Sequence, residues 1–305
     1  MTAAATALIA GATSASAEDK IKIGFSQGTM ESSWRVNMVE GNVKWAKENL
    51  PDVELIVTNG ENNASKQVSD VESLLAQGIK TLIISPVTAD ALTPVVKMAM
   101  EHGVPVVTLD RKVNTDVTLH VGADNKLIGR TAGEWVCKKL GTEGNVVEIQ
   151  GTAGASATVD RHDEFNAALA ANCPGVKVVA DQVANYVREP AIKFMEDVLQ
   201  RFGPGEIDLV YAHNDDMALG AVTALEAAGR LDEVVVVGID GENAAYDAIK
   251  DGKMDATFTY HFVAPEGVQY GYKIAKGEAF DSNEIILPTH QVDATNVDDW
   301  IGKGF

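Results

Sequence analysis

The feature that most constrains this chain is a regular alternation, from Ile21 onward, of short β-branched runs with longer segments of helical period. Such alternation belongs to βαβ units wound around parallel sheets. Strands are expected at Ile21–Ser26, Val53–Thr58, Thr81–Ser85, Val104–Leu109, Asn145–Gln150, Val176–Asp181, Asp208–Ala212, Val234–Ile239 and Ala256–Tyr260. Helices are expected at Arg35–Asn49, Ala64–Gln77, Leu92–His102, Lys126–Leu140, Ala157–Ala171, Pro190–Phe202 and Met217–Ala228. Runs such as Thr81-Leu82-Ile83-Ile84 and Val234-Val235-Val236-Val237 are almost wholly apolar, so both faces of each sheet must be covered by helices. A single sheet of so many strands would be unusually wide, and two α/β lobes, each a doubly wound parallel sheet, are expected instead. The division falls near Gly122-Ala123-Asp124, where a half-cycle ends in Val117–Val121. No Pro/Gly/Ser linker occurs there, which predicts a hinge rather than a loose tether.

Charge narrows the partners. With 44 acidic against 25 basic side chains the formal charge is −19, which disfavours nucleic acid and anionic membrane surfaces. Residues 1–17 carry no charge and end in Ala15-Ser16-Ala17 before Glu18-Asp19-Lys20, the small-x-small pattern of signal peptidase cleavage. Residues 1–17 are therefore read as a signal peptide, truncated because it lacks a basic start, and the mature protein as exported to the periplasm; a polar tail is the alternative. Cys137 and Cys173 lack C-x-x-C spacing, and their separation leaves open one disulfide or two separate buried thiols.

In open α/β sheets ligands sit beyond the carboxyl ends of the strands, so the residues after each strand carry the functional information. The first strand leads through Gln27 to Ser32-Ser33-Trp34-Arg35, the fourth to Asp110-Arg111, and the fifth to Gly151–Ser156 and Asp160-Arg161. Later strand ends deliver Asn185-Tyr186, His213-Asn214-Asp215-Asp216 and Asp240-Gly241. Planar carboxylate, amide and guanidinium groups match adjacent sugar hydroxyls, while Trp34 and Tyr186 can cover C–H patches. The candidate ligand residues are Gln27, Trp34, Arg35, Asp110, Arg111, Arg161, Tyr186, Asn214 and Asp240. Asp160 is read as a helix-start charge, Ser32, Ser33 and Asn214 as caps, and Asp215 or Asp216 as the cap if Asn214 faces inward. No phosphate loop, dinucleotide fingerprint, nucleophile elbow or H-E-x-x-H motif is present, and the histidines have no metal-ligand spacing. His213 is expected to be structural. No enzyme activity, cofactor or metal is expected.

The ordered set Gly24-Phe25-Ser26-Gln27, Glu31–Arg35, Leu109-Asp110-Arg111, Glu148–Ser156 with Asp160-Arg161, Tyr211–Met217 and Gly238–Gly241 resembles the type I periplasmic sugar-binding proteins of ABC importers. Its Glu-Ser-x-Trp-Arg and His-Asn-Asp-Asp stretches are most similar to the galactofuranose-binding branch. The resemblance implies three hinge crossings, near residues 122–125, 258–261 and 287–290. It implies lobes of residues 20–123 plus 261–288 and 124–260 plus 289–305. It also implies a monomer that takes a monosaccharide, galactofuranose or a similar pentose or hexose, and delivers it to a transporter permease. Ribose receptors carry Phe-Phe where this chain has Trp34-Arg35, and Gln where it has Tyr260.

A sugar-sensing receptor and a repressor-type ligand core share this fold. The repressor would need a basic helix-turn-helix where the Ala-rich leader stands. A glycosidase built on Asp215 and Asp216 is disfavoured because adjacent residues at a helix start do not face a common point.

Overall fold

The computed structural model describes residues 20–305; the expected signal peptide, residues 1–17, lies outside the described residues. The first lobe alternates β1 (Ile21–Gln27), α1 (Ser33–Asn49), β2 (Val53–Asn59), α2 (Ala64–Ala76), β3 (Thr81–Ser85), α3 (Ala89–Glu101), β4 (Val106–Leu109) and β5 (Leu119–Ala123). The second runs through α4 (Asn125–Leu140), β6 (Glu143–Gln150), α5 (Ser156–Asn172), β7 (Gly175–Val183), α6 (Arg188–Arg201), β8 (Leu209–Ala212), α7 (Asp215–Ala227), β9 (Val235–Asp240), α8 (Asn243–Lys250) and β10 (Ala256–Thr259). The chain then returns to the first lobe for α9 (Glu266–Ala275) and β11 (Glu284–Leu287), and ends in the second with β12 (Gln291–Asp293).

Both sheets have the same winding. The first is ordered β2-β1-β3-β4-β5-β11 and the second β7-β6-β8-β9-β10-β12. Every neighbouring pair is parallel except β10 with β12, so each lobe is the expected doubly wound, parallel-dominated sheet. Strand order reverses at β1 and β6, and a doubly wound sheet opens its ligand crevice at that switch point. The two lobes meet through three crossings: after β5 at Asp124, after β10 at Tyr260, and between β11 and β12.

Local chemistry explains the element boundaries. The Ser32, Asn63, Asp124 and Asn214 side chains each accept the backbone N–H three residues on, capping α1, α2, α4 and α7. β3, β4, β5 and β8 are buried at every position, as two-sided helix cover requires. Among the strand starts that differ from expectation, two have a local cause. Val104 closes the turn after α3 by donating to the Ala99 carbonyl, and Pro105 has no N–H to give, so β4 begins at Val106. β5 begins at Leu119, because Thr118 instead accepts the Val106 N–H on its hydroxyl.

One apolar cluster is confined to each lobe, and a third includes Phe25, Trp34 and Met38 of the first lobe together with Phe165, Tyr211, Phe258 and Tyr260. The lobes are therefore packed against each other. Cys137 at the end of α4 and Cys173 just past α5 form a disulfide, which resolves the alternative left open by their spacing. No helix among the described residues is long and apolar enough to cross a membrane.

Candidate functional site

The carboxyl ends of the two sheets face each other across a narrow cleft. From the first lobe it is bordered by Ser32, Trp34 and Arg35, at the start of α1, and by Asp110, which follows β4. The second lobe presents Ala157 and Arg161 on α5, Tyr186 after β7, Asn214 after β8 and Asp240 at the end of β9; Tyr260 stands at the crossing. Seating a polar side chain at a strand end demands sharp backbone turns. Asp110, Tyr186 and Asp240 accordingly take positive φ of 62°, 64° and 131°. Strain of this kind is held in place by the surrounding structure and concentrates at functional sites.

Trp34, Arg35, Asp110, Arg161, Tyr186, Asn214 and Asp240, all singled out from sequence, thus come together. Gln27 and Arg111 do not border the space. The Gln27 amide turns into its own loop and donates to the Thr29 carbonyl at 2.8 Å. Arg111 lies one layer out, donating Nη1 to the Val87 carbonyl at 3.0 Å, while Nε and Nη2 are buried without partners. Its guanidinium carbon is 5.5 Å from the Tyr186 ring centroid. Tyr260 was noted in sequence only as a departure from Gln, and Ser32 only as a cap. Asn214 both caps α7 and borders the cleft, its amide donating to the Tyr186 carbonyl at 3.3 Å. Asp160, the fifth residue of α5, is past the first turn and is not a helix-start charge.

Neither Asp215 nor Asp216 caps α7. Asp216 pairs with Arg188 at 2.9 Å. Asp215, fully buried, accepts the backbone N–H groups of Gly241 at 2.7 Å and Glu242 at 2.9 Å, and the Thr257 hydroxyl at 2.7 Å. It therefore braces the turn that carries Asp240. Burial pushes the Asp215 carboxyl up to about 6 against these hydrogen bonds.

A second brace lies under the β6 and β8 ends. Glu148, buried on β6, meets His213 Nε2 and His162 Nδ1, each at 2.9 Å. Burial holds His213 below its ordinary range, so the neutral ring donates Nε2–H to Glu148 and accepts the Gly151 N–H on Nδ1. The His213 carbonyl accepts from Arg161 Nη1, so this unit fixes a guanidinium of the cleft. Glu148 and His213 are fully buried and neither borders the cleft, which gives His213 a structural role.

The polar walls differ in charge. At Asp110 burial is more than offset by Arg35, Arg111 and the Tyr260 hydroxyl, and its carboxyl lies below the usual range. Arg111 is lowered to about 10 by burial and by Arg35. Burial drives Asp240 well above the carboxylate range, against the pull of Arg161. Arg35 lies over the Trp34 ring, its guanidinium carbon 4.6 Å from the centroid. Among the described residues no cluster of His, Cys, Asp and Glu is placed to hold a metal ion. The arrangement offers hydrogen-bond forks and aromatic faces.

The family described as periplasmic binding protein domain matches residues 23–278. The chain is 37% identical over 268 residues to the ribose import binding protein of Salmonella typhimurium, covering 87% of this chain and 88% of the relative. It is 36% identical over 245 residues to the galactofuranose-binding protein of Escherichia coli, covering 78% and 76%. Among solved structures, the fructose-binding periplasmic domain of a hybrid two-component system superposes with a TM-score of 0.85 at 33% identity, over 93% of this chain and 94% of that one.

Proposed function

Since this chain belongs to the periplasmic binding protein domain family, we propose that it captures a monosaccharide between its lobes in the periplasm and delivers it to the permease of an ABC transporter. The observation that carries this reading is the narrow cleft walled by guanidinium, carboxylate and amide groups from both lobes and by Trp34, Tyr186 and Tyr260. Groups from both lobes bond one ligand only when the cleft is shut, so the closed arrangement is the one that binds tightly. The moving bodies are residues 20–123 plus 261–288 and residues 124–260 plus 289–305. Arg35, Asp110, Arg161, Asn214 and Asp240 grip hydroxyls, the aromatic rings cover C–H faces, and Arg111 supplies free donors behind the wall. A cation at Arg35 in place of a second stacking ring favours galactofuranose, or a similar hexose or pentose, over ribose.

A sensory receptor that reports the same sugar to a membrane kinase is the second reading, favoured by the likeness to the two-component fructose domain. A thermal-shift screen of the mature protein against pentoses, hexoses and alditols tests the ligand class, since a molecule bound only by the folded state raises Tm. At least one monosaccharide is expected to do so, and Asp240→Ala is expected to lose most of that rise. A flat response across the panel, or an Asp240→Ala response equal to wild type, would overturn the assignment.

A further inference from the structure

Tyr260 occupies a place that belongs to neither lobe. It is buried where the chain leaves β10 for the first lobe. On one side its ring centroid lies 5.4 Å from that of Trp34 in the first lobe; on the other the Arg161 guanidinium carbon of the second lobe lies 4.6 Å away. Its hydroxyl donates to Asp110 Oδ1 at 2.6 Å and accepts from Asn125 Nδ2 at 3.1 Å. Asn125 Oδ1 accepts in turn from Arg161 Nε at 2.8 Å. An unbroken series of bonds thus joins Asp110, anchored after β4 of the first lobe, to Arg161, anchored on α5 of the second. Every member is buried and every bond is the protein's own.

We propose that Tyr260 and Asn125 are positioning residues that latch the cleft shut ahead of the ligand. The latch holds Asp110 and Arg161 in place and favours the closed arrangement independently of any sugar. A phenol is chemically suited to the task, because one hydroxyl can donate to a carboxylate while accepting from an amide. The pair is anchored at opposite ends in different lobes, so rotating the lobes apart stretches the series. Losing a buried hydrogen bond to a charged group then shifts the open–closed balance by about tenfold or more. Ligand capture proceeds in part by selection of a closed state that already exists.

The test needs no ligand. Spin labels at exposed positions, one in each lobe, report the inter-lobe distance of the sugar-free protein by pulsed electron resonance. The wild type is expected to show a closed component. Tyr260→Phe keeps the ring and removes both hydroxyl bonds; Asn125→Ala removes the links to Tyr260 and Arg161 and leaves the Tyr260–Asp110 bond in place. Each is expected to lower the closed-to-open ratio about tenfold with little change in Tm, and the double variant no further than either alone, because the links act in series. A sugar-free wild type with no closed component, or a ratio unchanged in folded variants, would overturn the latch. Should Tyr260→Phe fail to fold, Asn125→Ala decides the matter. Failure of every sugar to bind would instead sink the proposed function and leave this result standing.

Discussion

Glu148 illustrates how much of a binding cleft is built from residues that never border it. It is fully buried, and although burial raises its carboxyl, hydrogen bonds from His162 and His213 bring it down to about 2. A carboxylate whose folded value lies below its unfolded one stabilises the fold above the unfolded value, and that contribution fades as pH falls toward the folded value. For Glu148 the window runs from about 4.5 down to about 2. His213, held low by burial, adds a loss of the same sign that starts below about 6.5, because the unfolded ring takes up a proton first. Glu148→Gln is therefore expected to lower Tm at pH 7 and to flatten the decline between pH 4.5 and 2, as read by calorimetry across that range. An unchanged acid limb would refute the brace. Gly151 gives a steric counterpart, since a Cβ there would lie 2.0 Å from the Tyr186 ring. Gly151→Ala is expected to cost about 1–3 kcal/mol of stability. It should also displace Tyr186 and weaken sugar binding at least tenfold, measured by titration calorimetry with the sugar found in the screen. At this scale the sequence was readable wherever a polar residue directly follows an apolar strand, as at Asp110, Asn214 and Asp240. Tyr260 escaped that logic because its neighbours Asp110 and Asn125 come from two other crossings and strand ends, and no local spacing announces such a meeting.

Among elements, α5 carries Arg161 to the cleft and α4 carries Asn125, which accepts from Arg161 Nε. The Cys137–Cys173 disulfide ties their far ends across a separation of 36 residues. Closing a loop of that length is worth about 4 kcal/mol in the chain-entropy account. The Cys137→Ser, Cys173→Ser double variant is expected to lose most of that in urea unfolding, with sugar affinity changed less than threefold because the bond sits away from the cleft. A loss below about 1 kcal/mol would show that helix packing alone holds the pair. The major strands were legible because two-sided burial writes long apolar runs into them. The final edge strands were not: β12 has three residues and β11 four, too few for a period to show, and each is recruited by a neighbour already in the sheet. The same brevity hid α8, whose eight residues follow directly on the Asp240 turn.

For the whole molecule, charge separates stability from recognition. A net −19 spread over the surface is a self-repulsion that dissolved salt screens within about 8 Å at physiological strength. Raising salt from about 20 to 500 mM is therefore expected to raise Tm by a few degrees. The charges of the cleft behave differently. Arg35 and Asp110 pair with each other below the surface, and Arg161 is bonded to Asn125 and the His213 carbonyl, so mobile ions scarcely reach them. A neutral sugar adds no charge to that arrangement, and its Kd is expected to change less than twofold over the same salt range. An acidic sugar approaching a molecule this negative would bind more weakly as salt is withdrawn, because long-range repulsion then goes unscreened. Titrations at the two salt concentrations thus discriminate between the two: a tenfold weakening at low salt would assign the cleft to an anion, and a flat response with a rising Tm to an uncharged monosaccharide.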